Sequence, residues 1–280
     1  MRVLVTGAGG ILGRALRMEL PQRGFAVTAL TRAELDITDA AAARAALARY
    51  APAVVVNCAA YTRVDDAETH EHDAAAVNTH AARALAQLCH ARGIRIVYPS
   101  TDYVFAGDRH IAYGPDDTPA PVNAYGRTKL GGEVGTRAAR DHLIVRTSWL
   151  YGSGGPNFVR TVSDRLEKGE PLQVVADQTG RPTYARHLAR GIAELLSMKA
   201  PTGTYHMANA GRATWFEVAA EISARFDRPE AVVPCRTAEF QRPARRPPWS
   251  VLDTSETDKL IGALPPWREA LAEALAEEDY

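Results

Sequence analysis

Apolar residues are spaced along this chain in two rhythms. Short uninterrupted runs at Val3 to Thr6, Phe25 to Leu30, Ala53 to Val56, Ile94 to Tyr98 and Leu143 to Thr147 predict strands buried on both faces. Between them, Leu12 to Leu20, Ala40 to Tyr50 and about Asp73 to Ala91 have helical spacing. The punctuation agrees: Thr38-Asp39 reads as a helix start, Pro52 as a stop and Gly93 as a left-handed cap. Apolar strands alternating with helices predict an α/β fold, a Rossmann-type doubly wound parallel sheet covered on both faces. The rhythm holds to about residue 150. Beyond it Gly152, Gly154, Gly155 and Pro156 form a loop, and prolines multiply (Pro243, Pro247, Pro248, Pro265, Pro266). Ala185 to Met198 and Thr214 to Phe226 still read as helices. The expected organisation is a Rossmann domain over 1–150 and a smaller α/β domain over 151–280, with segments of the second free to return to the first.

Composition narrows the function more by exclusion than by assignment. Of 280 residues, 46% are hydrophobic, enough for a sizeable core. Lys plus Arg and Asp plus Glu both total 33, so no global field favours a nucleic-acid partner. Cys58, Cys89 and Cys235 form no CxxC pair, which fits a reducing compartment better than a disulfide scaffold. Met1-Arg2 leads straight into the first strand with no signal peptide, and no run approaches the ~18 apolar residues that span a bilayer. The expectation is a soluble cytoplasmic protein with no membrane partner.

The candidate chemistry begins at the first strand–helix turn. Gly7, Gly10 and Gly13 lie in Thr6-Gly7-Ala8-Gly9-Gly10-Ile11-Leu12-Gly13. Glycines there allow a tight turn and close approach of backbone to a pyrophosphate, which the helix amino terminus then attracts. The second strand ends in Leu30-Thr31-Arg32. Without an acid to grip a ribose 2′-hydroxyl, Arg32 favours a 2′-phosphate, hence NADPH, with NADH possible. Asp36-Ile37 suggests an adenine clamp.

Further along, Tyr125-Gly126-Arg127-Thr128-Lys129 sets a phenol and an ammonium on one helix face. A nearby cation lowers a phenol's pKa from its usual value of about 10, and Lys129 can also hold the cofactor ribose. Thr101, at the carboxyl end of the fourth strand, is the candidate hydroxyl for a substrate carbonyl, with Ser100 its competitor.

Together these features resemble the extended branch of the short-chain dehydrogenase/reductase superfamily. The segments Ser100-Thr101-Asp102-Tyr103-Val104-Phe105-Ala106-Gly107, Arg146-Thr147-Ser148-Trp149-Leu150-Tyr151 and Asp177-Gln178-Thr179-Gly180-Arg181-Pro182-Thr183 are similar to the dTDP-4-dehydrorhamnose reductase family. So is Tyr205-His206-Met207-Ala208-Asn209. The resemblance implies reduction of the C4 ketone of dTDP-4-dehydro-β-L-rhamnose. It implies that Gly10, Ile11 and Leu12 line the pyrophosphate, Asp36 and Ile37 meet the adenine, and Ala60, Tyr61 and Thr62 meet the cofactor. Tyr125 becomes the proton donor and Lys129 its partner. Thr101, Asp102, Val104 and Trp149 face the sugar, and Asn157 the nucleotide. Related sugar-nucleotide dehydratases carry a Glu where this chain has Tyr103, which favours simple reduction. Some dimeric relatives bind Mg²⁺ through glutamates where this chain has Ala15 and Arg186, so the resemblance implies no metal here and a monomer or weak homodimer.

Two other readings stay open at this level. One is reduction of a different dTDP-4-keto-6-deoxy sugar, as in dihydrostreptose formation. The other is a non-catalytic NADP-binding subunit resembling the regulatory β subunit of methionine adenosyltransferase. Arg242, Arg245 and Arg246 fit either a diphosphate clamp or a solvated loop. His70 and His72 lack a third ligand for a metal, Tyr205-His206 reads as a packed strand, and Trp215 and Phe216 read as core.

Overall fold

The protein is described by a computed structural model over residues 1–277. Its first half is β1 (Arg2–Thr6), α1 (Ile11–Gln22), β2 (Ala26–Leu30), α2 (Ala40–Tyr50) and β3 (Val54–Asn57). Then α3 (Glu71–Ala75) runs through a π turn at Ala76–Ala81 into α4 (Ala82–His90), followed by β4 (Arg95–Thr101), α5 (Ala124–Thr136) and β5 (His142–Thr147). The second half is β6 (Leu150–Tyr151), α6 (Phe158–Glu167), β7 (Leu172–Val175), β8 (Thr179–Gly180), β9 (Thr183–Tyr184) and α7 (Ala185–Ser197). It ends with β10 (Gly203–His206), β11 (Ala213–Thr214), α8 (Trp215–Arg225), β12 (Val232–Cys235), α9 (Ser255–Ile261) and α10 (Trp267–Glu277).

Most of the expected elements lie where the apolar rhythm places them, for local reasons. Asp39 caps α2 by accepting from the Ala41 and Ala42 N–H groups, and Ala51 ends it in the left-handed region ahead of Pro52. Thr214 and Glu217 cap α8 reciprocally. Periodicity gave no warning of the π turn.

The main sheet runs β10-β5-β4-β3-β1-β2, and every neighbouring pair is parallel. Strand order reverses at β1, so the loops after β1 and β3 diverge and open a crevice at their carboxyl ends. One core packs α1 and α7 on the sheet through residues such as Leu16, Leu20, Leu188 and Ile192. The other face buries Leu47, Leu85 and Ile96 under α2 and α4. A separate cluster built from α6, β7, α8, β12 and α10 (Val162, Leu172, Ile222, Trp267, Leu271) forms the core of the second unit. Strand β10 and helix α7 lie past residue 150 yet complete the first unit's sheet and core.

Helix α5 sits unusually close to its neighbours. A Cβ on Gly132 would overlap the Asn78 carbonyl oxygen and the Tyr98 hydroxyl, and one on Gly126 would overlap the Tyr103 carbonyl. Adding a methyl group there forces the helix off the sheet, whereas Gly9 has only Thr31 Cγ2 nearby, at 3.9 Å. Gly132→Ala should therefore destabilise the protein by about 2 kcal/mol in urea unfolding, while Gly9→Ala stays within about 0.5 kcal/mol. Equal stabilities for the two variants would show that the close approach is not a constraint.

Candidate active site

The carboxyl ends of β1, β3, β4 and β5 open into one cavity of about 670 Å³. Its wall includes the expected Gly7, Gly10, Ile11, Leu12, Gly13, Arg32, Asp36, Ile37, Ala60, Tyr61 and Thr62. Thr101, Asp102, Tyr125, Lys129, Trp149 and Asn157 join the same wall. Val104 does not: it is fully buried among Phe105, Tyr113 and Leu252. The chain turns into a short 3-10 segment after Thr101, which rotates the Val104 side chain away from the cleft and into an apolar cluster.

The glycine turn fits a dinucleotide phosphate. Gly7 has φ +62°, and a Cβ on it would meet the Ala59 nitrogen at 2.5 Å. A Cβ on Gly13 would meet the Gly7 carbonyl at 2.5 Å. Gly10 caps α1 with no side-chain hydrogen bond, so the first-turn N–H groups face the cavity with no side-chain cap.

At the adenosine end, the Arg32 side chain is 85% exposed, with Nε 3.3 Å from Asp36 Oδ2. Asp36 Oδ1 accepts from the Thr38 amide and hydroxyl at 2.9 and 2.7 Å, bonds that hold its carboxyl below the usual range. The Asp36 carboxylate is thus already engaged by its own loop, while the Arg32 guanidinium remains at the rim. Glu34, the nearest acid after β2, accepts from the Thr31 amide and hydroxyl.

The loop after β3 is held by a residue that sequence reading missed. The side chain of Asn78, inside the π turn, accepts from the Tyr61 amide at 2.9 Å and donates to the Tyr61 carbonyl at 3.0 Å. It also donates to Thr128 Oγ1, which donates to the Tyr125 carbonyl. The available signal was one amide in the run Ala74-Ala75-Ala76-Val77-Asn78, since a polar residue inside a buried helix face needs partners.

Asn123 caps α5 by accepting from the Gly126 amide at 2.8 Å, so Tyr125 lies in the first turn and Lys129 one turn later. Lys129 Nζ donates to the Pro99 carbonyl at 2.7 Å and lies 4.0 Å from the Tyr98 ring centroid. Burial pushes this ammonium down to about 7, while Glu133 and Cys58 act in the opposite direction. Burial also raises the Tyr125 phenol, helped by the Asp102 charge and opposed by a hydrogen bond with Thr101. The expectation of a lowered phenol pKa is therefore corrected: burial outweighs whatever the ammonium contributes. Both groups are desolvated, and the ammonium is aimed at Pro99 and Tyr98, so the phenol keeps its proton near neutrality.

Between the two candidate hydroxyls the geometry discriminates. Ser100 Oγ donates to Glu133 Oε1 at 2.6 Å. Thr101 Oγ1 accepts from the Tyr103 amide and donates to Asp102 Oδ1, each at 3.1 Å, beside the phenol. Burial pushes the Asp102 carboxyl up to about 7.

The second unit supplies the opposite wall. Trp149, at φ +49°, stacks on Trp215 with centroids 3.5 Å apart and planes 5° from parallel. Trp215 packs on the second core and also lines the cavity, a position beyond the core role read from sequence. Asn157 caps α6 and donates to the Gly152 and Gly155 carbonyls, so its amide fixes the glycine loop. Arg242 and Arg246 both pair with Asp65, and neither lines the cavity. Arg245 is exposed, and its carbonyl accepts from Asn123. Arg186 pairs with Glu19 at 2.8 Å. Among the described residues no helix is long and apolar enough to cross a membrane, and no three His, Cys, Asp or Glu side chains are grouped to hold a metal.

The cleft has counterparts among known proteins. A family profile described as RmlD substrate binding domain matches residues 1–280. A dTDP-4-dehydrorhamnose reductase of Streptomyces griseus is 48% identical, covering 98% of this chain and 92% of its own. A dTDP-4-keto-6-deoxy-D-glucose reductase of Streptomyces niveus is 46% identical over 78% of this chain and 76% of its own. The crystal structure of dTDP-4-dehydrorhamnose reductase from Bacillus anthracis in complex with NADP superposes with a TM-score of 0.94, at 38% identity over 99% of each chain. On the full-length profile match and these identities, the chain belongs to the RmlD family of Rossmann-type NAD(P)H-dependent oxidoreductases.

Proposed function

We propose that the protein reduces the C4 ketone of dTDP-4-dehydro-β-L-rhamnose to dTDP-L-rhamnose with NADPH, NADH serving as a weaker donor. The observation that carries this reading is one cavity lined both by the glycine cradle and by Thr101, Tyr125 and Lys129. Residues 7–13, Arg32, Asp36, Ile37 and 60–62 hold the dinucleotide; Asp102, Trp149 and Asn157 belong to the sugar-nucleotide side. The first unit thus carries cofactor and the second carries sugar, acting as a monomer or weak homodimer in the cytoplasm.

When bound, the nicotinamide supplies a hydride to C4. Thr101 turns its hydroxyl proton from Asp102 to the C4 oxygen and orients it. Tyr125 then delivers its proton to that oxygen as negative charge builds, so the carbonyl gains one hydride and one proton. Lys129, held by the Pro99 carbonyl, binds the ribose and stabilises the phenolate left behind. Reduction of an isomeric dTDP-4-keto-6-deoxy sugar is the second reading, favoured by the similarity to the Streptomyces niveus enzyme. A purely regulatory role has against it the complete Thr101, Tyr125 and Lys129 set.

Purified protein given dTDP-4-dehydro-6-deoxy sugars made from dTDP-glucose should consume NADPH, with NMR of the product identifying L-rhamnose. No loss of NADPH absorbance with any such sugar would sink the enzymatic reading. Tyr125→Phe should lower kcat by about 10²–10⁴-fold at unchanged NADPH affinity. In Arg32→Ala the KM for NADPH should rise about tenfold while that for NADH stays put, because only NADPH carries the phosphate. Equal effects on both cofactors would remove Arg32 from the phosphate.

A further inference from the structure

Lys129 is a buried cation with no carboxylate of its own, and that raises the question of what keeps it aimed. It is 3% exposed, and its nitrogen meets a carbonyl and an aromatic face. One turn further along α5 lies Glu133, fully buried. Glu133 accepts from Arg146 through both oxygens, Nε to Oε1 at 2.9 Å and Nη2 to Oε2 at 2.8 Å. Its Oε1 also accepts from Ser100 Oγ at 2.6 Å. Arg146 is itself 1% exposed and donates onward to the Pro115 carbonyl at 3.0 Å and to His206 Nε2 at 3.3 Å. His206 Nδ1 in turn meets the Tyr113 carbonyl, which sets its tautomer.

The decisive point is where this cluster grips the sheet. Ser100 lies between Pro99, whose carbonyl receives Lys129, and Thr101, whose hydroxyl lies beside Tyr125. A carboxylate that fixes Ser100 fixes both neighbours. We propose that Glu133, clamped by Arg146 and bonded to Ser100, is a positioning residue that registers the end of β4 against α5 and sustains the charge of Lys129. It touches neither sugar nor cofactor.

The charged and titratable groups around the ammonium are few. Glu133 and Tyr125 share its helix, Cys58 approaches from the end of β3, and Tyr98 underlies it from β4. Around Glu133 stand Arg146 from β5, Ser100 from β4 and Arg137, the residue that ends its own helix. Burial alone would raise the Glu133 carboxyl; Arg146 overrides it and keeps the group ionised. Glu133, one helical turn along α5, acts on Lys129 to hold its proton.

This inference rests on the reading of Tyr125 and Lys129 as the proton-handling pair, and its test has a readout independent of turnover. The chain has four lysines, Lys129, Lys168, Lys199 and Lys259, and only Lys129 is buried. NMR of the full chain labelled with ¹³C-lysine therefore follows Lys129 directly. In the natural protein its midpoint should lie well below the other three. In Glu133→Gln the midpoint should fall further by about 1 pH unit, and in the charge-neutral Glu133→Met/Arg146→Met pair, which covers misfolding of the first variant and also removes a cation, it should fall by less. The alkaline limb of kcat/KM should move the same way. Ser100→Ala, which leaves every charge in place, should keep the midpoint and lower kcat several-fold at constant cofactor KM. An unmoved Lys129 midpoint in both Glu133 variants, or a Ser100→Ala enzyme with unchanged kcat, overturns the proposal. A shifted midpoint in a protein that reduces no sugar would instead sink the assigned reaction and leave the positioning role standing.

Discussion

The cleft depends on how closely α5 lies against β4. Lys129 can reach the Pro99 carbonyl only because nothing larger than hydrogen stands at Gly126 and Gly132, where the helix meets Tyr103, Tyr98 and Asn78. A desolvated cation is expensive, and the fall of its pKa towards neutrality expresses that cost. The fold offsets part of it with dipoles, a carbonyl and an aromatic face, and part with Glu133. A fraction of a turn of slippage in α5 would separate the ammonium from its carbonyl and the phenol from Thr101 together.

The raised phenol pKa accords with the direction of the reaction. A reductase must begin its step with the proton on the donor, and burial secures that state at any ordinary pH. The acceptor is a developing alkoxide, a base far stronger than phenolate, so a reluctant acid still transfers. What remains after the proposed transfer is a phenolate, and the proposed mechanism gives its stabilisation to the Lys129 ammonium one helical turn away. Residue spacing put Tyr125 and Lys129 on one helix face but carries no information about desolvation, which sets the direction of the phenol's pKa.

Legibility followed the range of the forces involved. The strands and helices of the first unit were visible because each has its own apolar rhythm and cap, as at Asp39 and α2. The glycine turn and the Tyr125 to Lys129 spacing were visible because both are local. Hidden were features made by distant segments: Trp215 stacking on Trp149, and Asn78 bridging Tyr61 to Thr128. The π turn belongs to the same class. One extra residue per turn changes which side chain faces the cleft, and tertiary contacts decide it. Val104 was misplaced for the complementary reason: its neighbours in the motif face the cavity, but the backbone turns between them.

The arginine-rich strap over residues 242–248 links distant parts of the cleft's surroundings. Asp65 follows the loop at 60–62 after β3, and Arg242, Arg246 and the Ala244 amide all converge on it. Burial opposes ionisation of this carboxyl, and the guanidinium groups prevail, so the contact is charged and partly sheltered from salt. Beyond it the strap gives its Arg245 carbonyl to Asn123, the cap of α5, and its Pro248 carbonyl to the Thr179 amide beside Gly180 and the Trp149 indole. One short segment therefore ties the loop after β3, the start of α5 and the aromatic wall into a single frame. Hydride and proton must reach the same carbonyl from different directions, and a frame that couples those three points keeps the directions fixed relative to one another.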